Sequence, residues 1–324
     1  MLLELDRPRS QQVDPAFRDD VLAGLASRPR AIPARWFYDA AGSELFEQIT
    51  RLPEYYPTRT EMALLGSLGS ELATLIGPSR AVVEFGSGSS TKTPLLLSAI
   101  SPAAYVPIDI SGDFLRSSAN ALGARFPGLP VLPIEADFLH PIRLPRALDD
   151  TPRLGFFPGS TIGNLVPERA VDLLRAMASN LGDDAQLLIG IDRIKDPAIL
   201  IPAYDDAQGV TAQFNKNVLV RMNRELEGDI PVDAFQHRAI WNEQAARIEM
   251  HLEATHDCSF KVADRAFRMS AGETIHTENS HKYGVREARL LLSAAGWQPI
   301  GEWSDPDDLF MLLLAEARPA PAAP

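Results

Sequence analysis

Cysteine is almost absent from this chain, and long apolar runs are missing altogether. The single cysteine among 324 residues, Cys258, excludes an internal disulfide and is typical of a reducing compartment. No stretch approaches the roughly 18 consecutive apolar residues that a membrane-spanning helix needs. The opening residues, MLLELDRPRS, lack the apolar core of a signal peptide. The sequence therefore predicts a cytoplasmic protein without a membrane partner.

Basic residues are also in short supply, with 31 Lys and Arg against 43 Asp and Glu and a formal net charge of −12. Because nucleic-acid binding needs a basic face, this balance disfavours a nucleic-acid partner. The remaining composition, 45% hydrophobic and 23% charged, is ordinary for a globular protein. The length suggests about two domains, and we expect a monomer that binds a small molecule.

Five apolar segments alternate with helical patterns in the first two thirds of the chain. The predicted strands are AVVEF (81–85), YVPID (105–109), VLPIEAD (131–137), RLGFFPG (153–159) and AQLLIGID (185–192). After Gly284 the pattern resumes with a helix, VREARLLLSAAG, and two strands, WQPIGEW and LFMLLLAEA. This alternation is typical of a doubly wound α/β sheet with mostly parallel strands.

Residues 196–283 interrupt the alternation. They contain helical segments and then VDAFQHRAIW, RIEMHLEATHD and SFKVADRAFRM, of which the last two resemble long antiparallel strands. We interpret this region as an α+β insertion with which the proline- and aromatic-rich N-terminal segment packs. The predicted domains are an α/β domain of residues 62–195 and 284–318 and a second domain of residues 1–61 and 196–283. A disordered tail is predicted at 319–324.

Small and acidic residues follow the first three predicted strands. The first strand runs into EFGSGSS (84–90), the second ends at Asp109, and the third ends at Asp137 and Phe138. The carboxyl ends of parallel strands meet at one edge of the sheet, where open α/β sheets bind ligands. Glycines admit a ligand close to the backbone, and a carboxylate such as Asp109 can accept both hydroxyls of a ribose. Since an aspartate beside an aromatic suits an adenine, the three strand ends together predict a nucleoside ligand.

Other ligands fit this sequence less well. A P-loop needs glycine where Thr91 stands, and NAD sites prefer a third glycine in the loop. His251 and His256 are five residues apart on a predicted strand and therefore face opposite ways. Because the sequence has neither an HExxH motif nor a Cys/His cluster, we predict no metal site.

The segment FFPGSTIGNLVPE (156–168) is more elaborate than a simple strand-to-helix turn requires. A helix cap would explain Ser160 or Thr161 but not the whole string. Gly159 leaves its backbone groups open to contact, and Asn164 offers both a donor and an acceptor. We interpret 159–164 as the site that holds a methyl-accepting amine, because the seven-strand pattern resembles the Rossmann-like class I methyltransferases that use S-adenosylmethionine (SAM).

Five motifs carry a closer resemblance. They are WFYDAAGSELFEQITRLPEYYPTRTE (36–61), VEFGSGSSTKT (83–93), PGSTIGN (158–164), AYDDAQGVTAQFNKNVL (203–219) and HTENSHKY (276–283). They resemble the L-histidine Nα-methyltransferase family of ergothioneine biosynthesis, over about residues 16–316. The resemblance implies SAM as the cofactor and trimethylation of the α-amino group of L-histidine to hercynine. It also implies a class I sheet with an inserted substrate-binding domain.

The same resemblance implies roles for single residues. Asn164 and Tyr204 would hold the carboxylate, with Asn164 also near the amine, while Tyr38 and the backbone of Gly159 would orient the amine. The residues expected around the imidazole are Tyr55, Glu278 and Ser280, and those expected to line the pocket are Phe46, Met250 and Phe214. The residues expected on the cofactor side are Gly86, Ser87, Gly88, Lys92, Asp109, Asp137 and Phe138. From the chemistry alone, a quaternary product favours aromatic faces, and the cluster of Tyr38, Tyr55 and Tyr56 fits that need. A surface position in a proline-bounded loop is the alternative for Tyr56.

Two other functions stay open, and the roles of two of these residues have an alternative as well. A relative that methylates another amino acid, such as tryptophan or tyrosine, would leave Glu278 unpaired against an apolar ring. A nucleoside-binding module without activity would have no use for a full set of acceptor residues. Phe46 and Phe214 fit core positions as well as they fit a pocket wall.

Overall fold

The computed structural model describes residues 14–140 and 142–318, so the predicted tail at 319–324 lies outside the described residues. The helices are α1 (Pro15–Ala26), α2 (Ala40–Ile49), α3 (Tyr56–Ser67), α4 (Gly69–Ile76), α5 (Thr93–Ile100), α6 (Gly112–Arg125), α7 (Pro167–Leu181), α8 (Pro197–Tyr204), α9 (Val210–Glu225) and α10 (Val285–Ala294). The strands are β1 (Arg30–Ala31), β2 (Ala81–Phe85), β3 (Ala104–Asp109), β4 (Ile134–Glu135), β5 (Arg153–Phe157), β6 (Gln186–Asp192), β7 (Phe235–Asn242), β8 (Arg247–Ala254), β9 (Cys258–Val262), β10 (Arg265–Met269), β11 (Thr274–His281), β12 (Trp297–Ser304) and β13 (Phe310–Ala317). None of these helices is both long enough and apolar enough to cross a membrane.

The central sheet has seven strands in the order β12-β13-β6-β5-β2-β3-β4. β2 to β6 pair in parallel, while β13 runs antiparallel to both β6 and β12. The predicted class I methyltransferase sheet is therefore confirmed. The strand order reverses between β2 and β5, because β3 and β4 lie to one side and β6 to the other. That reversal is where open α/β sheets bind ligands.

A second sheet, β1-β11-β8-β7, and the hairpin β9-β10 belong to the inserted region. One hydrophobic core combines residues 17–56 with residues 200–275, and two further cores cover the faces of the central sheet. The N-terminal segment thus packs with the inserted region. The predicted domain limits stay a prediction, and α3 runs through the first of them, between residues 61 and 62.

Three local expectations are wrong. The stretch VLPIEAD forms only the two-residue β4, since Pro133 has no N–H to donate to a strand ladder. SFKVADRAFRM is the hairpin β9-β10 rather than one strand, and it turns at Ala263, whose φ is 50°. The helical apolar spacing of residues 61–76 predicts one helix, but the structure divides it between α3 and α4 at Leu68.

Candidate active site

One cavity of about 900 Å³ lies where the carboxyl ends of β2, β3 and β5 face the second sheet. That size is in the range of pockets that hold small ligands. The predicted site residues that line it are Tyr38, Phe46, Tyr55, Gly86, Ser87, Gly88, Lys92, Asp109, Asp137, Phe138, Gly159, Asn164, Tyr204, Glu278 and Ser280. The structure therefore brings the predicted cofactor and substrate residues to one continuous space.

Asp109 holds the glycine loop at the cofactor end of the cavity. Its Oδ2 accepts from the backbone N–H of Gly88 at 2.9 Å, and its Oδ1 accepts from the N–H of Ser111 at 2.9 Å. Burial raises the pKa of Asp109 above its ordinary value, although these backbone donors oppose the rise. A carboxylate has lone pairs beyond these two bonds, so the geometry fits a ribose placed over the loop. The sequence favours Ser111 as the cap of the helix that follows β3; Ser111 does precede α6, but its side chain makes no cap hydrogen bond.

Asp137 has a partner that the sequence did not reveal. Its Oδ2 accepts from the guanidinium of Arg35 at 2.8 Å, and its Oδ1 accepts from the N–H of Leu139 at 2.9 Å. Arg35 comes from the N-terminal segment, which therefore reaches across the cofactor end of the cavity. A Cβ at Gly86 would lie 3.3 Å from the Phe138 ring. A side chain at position 86 would therefore crowd this ring, which is expected to face the adenine.

We expect Asp109→Ala to weaken binding of SAM and of S-adenosylhomocysteine about 10- to 150-fold. This corresponds to about 1.5–3 kcal/mol for lost charged hydrogen bonds. Calorimetry checks it, with Asp113→Ala as a control, because Asp113 lies on the first turn of α6, just after Asp109, and pairs with exposed Arg116. Unaltered cofactor affinity in Asp109→Ala would remove Asp109 from the site.

Glu61 joins the cofactor end to the acceptor loop. Its carboxylate is fully buried and pairs with Lys92 Nζ at 2.5 Å. Both carboxylate oxygens also accept from the N–H of Gly159, at 2.9 and 3.1 Å. The N–H of Gly159 is therefore already occupied, and its carbonyl is the backbone group left for a substrate amine. Lys92 likewise reaches the cavity as one half of a buried ion pair.

The two glycines of GSTIGN are required for different reasons. Gly159 has φ = 81°, a conformation that side chains rarely adopt. A Cβ at Gly163 would lie 2.7 Å from the carbonyl oxygen of His281, so this turn packs directly on β11. Ser160 Oγ accepts from the N–H of Asp192 at 2.9 Å, which ties the loop to the end of β6. Held in this way, the short 3-10 turn Thr161–Asn164 presents the Asn164 amide to the cavity.

Aromatic rings form the wall opposite the acceptor loop. Tyr38 packs edge-on against Phe46 at 5.8 Å between centroids, and Phe46 packs against Tyr55 at 6.2 Å. Tyr55 in turn packs on Tyr204 at 6.2 Å. Burial raises the pKa of Tyr38, Tyr55 and Tyr204 well above the ordinary value. A raised pKa favours the neutral phenol, and the Tyr38 hydroxyl is suited to hydrogen-bond an amine.

Three predicted residues lie outside this wall. Phe214 sits behind it in the hydrophobic core, 5.7 Å from Tyr38 and only 2% exposed. Met250 is equally buried and pairs across the strands with Glu278. Tyr56 is directed elsewhere, since its hydroxyl donates to Asp192 at 2.9 Å. Phe214 and Met250 support the lining residues from the core, and the expectation that Tyr56 faces the product is wrong.

Glu278 and Ser280 project from β11 at the substrate end. Burial raises the pKa of the Glu278 carboxyl to about 7, and the nearby ammonium of Lys282 opposes that rise. Ser280 Oγ lies 2.7 Å from the hydroxyl of Tyr204, and Lys282 Nζ lies 2.8 Å from both oxygens. Sequence reasoning missed Lys282, although it follows Glu278 and Ser280 at the period of two that marks one face of a strand.

A buried polar chain fixes the backbone of Tyr204. His237 Nε2 donates to the carbonyl of Tyr204 at 2.7 Å, so its Nδ1 accepts from Asn215 at 2.8 Å. The hydroxyl of Thr277 donates to the Asn215 amide oxygen at 2.8 Å. Burial lowers the pKa of His237, which keeps the ring neutral, as this pattern requires. The sequence signals for this chain were Asn215, in the motif at 203–219, and Thr277, in HTENSHKY.

Glu249, His251 and His276 come together from β8 and β11, which the sequence did not predict. The two imidazole rings are stacked at 4.8 Å with 19° between their planes. Nearly parallel rings direct their in-plane lone pairs side by side rather than toward one ion. Glu249 is moreover held by Arg247 at 2.6 Å. The arrangement therefore does not favour a metal ion.

Comparison with known proteins shows the family of the chain. A family model described as histidine-specific, SAM-dependent methyltransferase matches residues 17–317. The chain belongs to this family. Histidine N-alpha-methyltransferase of Mycolicibacterium smegmatis is 44% identical over 307 residues, which are 93% of this chain and 94% of that protein. The protein of the same name from Mycobacterium tuberculosis matches with the same identity and coverage.

A fungal relative extends the comparison. Ergothioneine biosynthesis protein 1 of Neurospora crassa is 29% identical over 304 residues, covering 90% of this chain and 34% of that longer protein. Membership of the histidine-specific methyltransferases confirms the predicted family, the enzyme class and SAM as the cofactor. The glycine loop, Asp109 and Phe138 at the strand ends form a site that fits this cofactor.

Proposed function

We propose that this methyltransferase transfers three methyl groups from SAM to the α-amino nitrogen of L-histidine and so forms hercynine. The observation that carries the proposal is a single cavity with a nucleoside-type loop at one end and Glu278 and Ser280 at the other. The acceptor loop and Tyr38 lie between them, where an α-amine would meet the methyl group. Residues 14–61 and 196–283 then act as the substrate-binding domain, and residues 1–13 of the predicted domain lie outside the described residues.

The protein contributes position rather than a reactive group. Bound SAM supplies an electrophilic methyl group on a sulfonium, and well-oriented reactants gain up to about 7–11 kcal/mol. The carbonyl of Gly159 and the hydroxyl of Tyr38 orient the amine, whose lone pair must be free to attack. Because the raised pKa of Tyr38 favours its neutral phenol, the amine proton leaves through water. Asn164 and Tyr204 hold the carboxylate and prevent the substrate from turning.

The aromatic wall suits successive methylation. Each transfer makes the nitrogen more cationic, and the third leaves a permanent positive charge without an N–H. Tyr38, Phe46 and Tyr55 present ring surfaces to the same space. An aromatic face stabilises a cation by about 0.5–2 kcal/mol, so the wall tolerates the intermediates without a counter-ion.

A time course with limiting L-histidine tests the proposal. We expect three equivalents of S-adenosylhomocysteine per histidine, and a product with all three methyl groups on the α-nitrogen by tandem mass spectrometry. Histamine, which lacks the carboxylate, is the matched control substrate and should react far more slowly. A product methylated on a ring nitrogen would overturn the proposal, as would a reaction that ends after one equivalent.

Histidine binding should take up a proton above neutral pH. Glu278 has a pKa of about 7 in the free enzyme, and a free imidazole has a pKa of about 6.5. At pH 8 both are deprotonated before they meet, but an imidazolium–carboxylate pair contains one proton, which must come from solvent. Affinity therefore decreases as pH rises above about 7. Below about pH 6.5 the Glu278 carboxyl and the imidazole are both protonated before they meet. Because the pair contains one proton, binding releases the other to solvent, and affinity decreases again as pH falls.

Calorimetry at pH 8 in two buffers of different ionisation enthalpy measures this uptake. The difference between wild type and Glu278→Gln cancels any proton exchanged by the α-amine. We expect the wild type to take up close to one proton more than the variant. Equal uptake would show that Glu278 does not share a proton with the substrate.

A further inference from the structure

A cluster of buried charges lies directly behind the substrate end of the cavity. Asp192, at the end of β6, pairs with Lys195 at 2.6 Å and with Lys282 at 2.6 Å. The side chains of Asp192 and Lys282 are fully buried. Burial alone would raise the pKa of Asp192, but the two ammonium groups lower it below its ordinary value. The cluster joins the central sheet to the segment that carries Glu278 and Ser280.

Lys282 uses all of its donors inside this cluster. An ammonium has three N–H donors and no acceptor, and the three partners of Lys282 are Asp192 Oδ2, Tyr204 Oη and Ser280 Oγ. Both hydroxyl oxygens therefore accept from Lys282. Since these oxygens are 2.7 Å apart, one hydroxyl proton lies between them. The other proton is left for the cavity, which both residues line.

The hydrogen-bonded cluster holds two ammonium groups and one carboxylate, although Lys282 also interacts electrostatically with the Glu278 carboxyl. Lys195 and Lys282 share one carboxylate, and the other two partners of Lys282 are neutral hydroxyls. The two cations that line the cavity among the described residues, Lys92 and Arg35, each have carboxylate partners of their own: Lys92 pairs with Glu61, and Arg35 with Asp20 and Asp137. A buried charge without full compensation is costly. An anion that entered the cavity beside Tyr204 would be stabilised by Lys282.

We propose that Lys282 is a positioning residue for the α-carboxylate of the substrate and that it makes the enzyme select an acid over a neutral analogue. This inference rests on the proposed function. With a carboxylate at Tyr204, the free hydroxyl proton belongs to Tyr204, and Ser280 donates to Tyr204. Ser280 then presents a lone pair and accepts an N–H from the imidazole. Lys282 thus couples the two ends of the substrate without touching either.

Binding of L-histidine and L-histidinamide tests this role, because the amide replaces the carboxylate with a neutral group of similar size. Dissociation constants are measured with saturating S-adenosylhomocysteine for wild type, Lys282→Met and Lys195→Met. Lys195 is the matched control, since it pairs with Asp192 and Tyr56 but does not contact Tyr204 or Ser280. The ratio of the two constants cancels any general loss of affinity. Cofactor affinity reports whether the variants are folded.

We expect wild type to prefer histidine over histidinamide by more than about tenfold. Lys282→Met should reduce this preference at least about tenfold, and Lys195→Met should stay within about threefold of wild type. If Lys282→Met does not fold, Lys282→Gln is measured in its place, and we expect the same reduction of the preference. Equal losses in the Lys282 and Lys195 variants would overturn the role of Lys282. A wild-type preference for histidine below about tenfold, which can be measured without any variant, would also overturn it.

Failure of the proposed function and failure of the inference about Lys282 give different results. A wild type that does not methylate histidine refutes the function itself, whereas a wild type that methylates it while Lys282→Met keeps its preference refutes only this inference. A loss of kcat without a change in the binding ratio would also contradict a role in holding the carboxylate.

Discussion

Glu278→Ala is expected to lose most activity on histidine and to gain measurable activity on tryptophan and phenylalanine. A site built to hydrogen-bond a substrate group rejects analogues that lack it by about 10⁴–10⁵. Glu278 lines the cavity with an ionisable carboxyl of pKa about 7. An apolar ring would leave that carboxyl unpaired and desolvated, and alanine removes this penalty. The same change removes the acceptor for the imidazole N–H.

The quantity to measure is the ratio of specificity constants, histidine over tryptophan, in wild type and in Glu278→Ala. Adding Met250→Val should favour tryptophan further, because Met250 is the cross-strand partner of Glu278 and a shorter side chain leaves more room. Glu249→Ala is the control, since it removes a carboxylate from β8 that Arg247 already pairs. A ratio that falls less than about tenfold, roughly 1.4 kcal/mol, would show that Glu278 does not recognise the imidazole.

Asn164→Ala should lower kcat/KM for histidine by about 10²–10⁴ and leave S-adenosylhomocysteine binding intact. The Asn164 amide faces the cavity from a turn that is fixed on both sides, by Glu61 at Gly159 and by β11 at Gly163. Hydrogen bonds to charged groups contribute about 1.5–3 kcal/mol each, and we assign Asn164 one to the carboxylate and one to the amine.

Thr161→Val separates the ligand contact from the shape of the turn. Thr161 Oγ1 donates to the carbonyl of Pro158 at 3.0 Å, so this variant disturbs the same loop without removing the Asn164 amide. We expect a loss below about tenfold in Thr161→Val. Wild-type kinetics in Asn164→Ala would reduce the GSTIGN segment to a helix cap, and equal losses in both variants would assign the effect to loop geometry.

The central sheet could be predicted because its strands are buried on both faces. Such strands are continuous apolar runs, and β2 and β6 are buried at every residue. Asp109 and Asp137 could be located because Asp109 ends β3 and Asp137 follows β4, and the carboxyl ends of parallel strands meet at one edge of the sheet. Their prediction therefore required no knowledge of the rest of the chain. The motif residues of the substrate side came from resemblance, and the cavity places most of them together.

The partners of these residues could not be predicted, because they depend on how distant segments dock. Arg35 meets Asp137 across 102 positions, and Tyr56 meets Asp192 across 136. The hairpin at Ala263 was missed for a local reason, since its turn has neither glycine nor proline to mark it. Lys282 was the exception with a usable signal. Once HTENSHKY is recognised as a strand, alternate spacing places it with Glu278 and Ser280.

The measurement that tests the central claim most directly is a competition among the twenty amino acids at equal concentration, with wild-type enzyme and SAM carrying a deuterated methyl group. Mass spectrometry then reports every product in one reaction. The account predicts that histidine acquires three labelled methyl groups on its α-nitrogen and that any other labelled amino acid amounts to less than about 1% of this product, as a recognition factor above 10² requires. Predominant labelling of tryptophan or tyrosine, or no labelled amino acid at all, would contradict it.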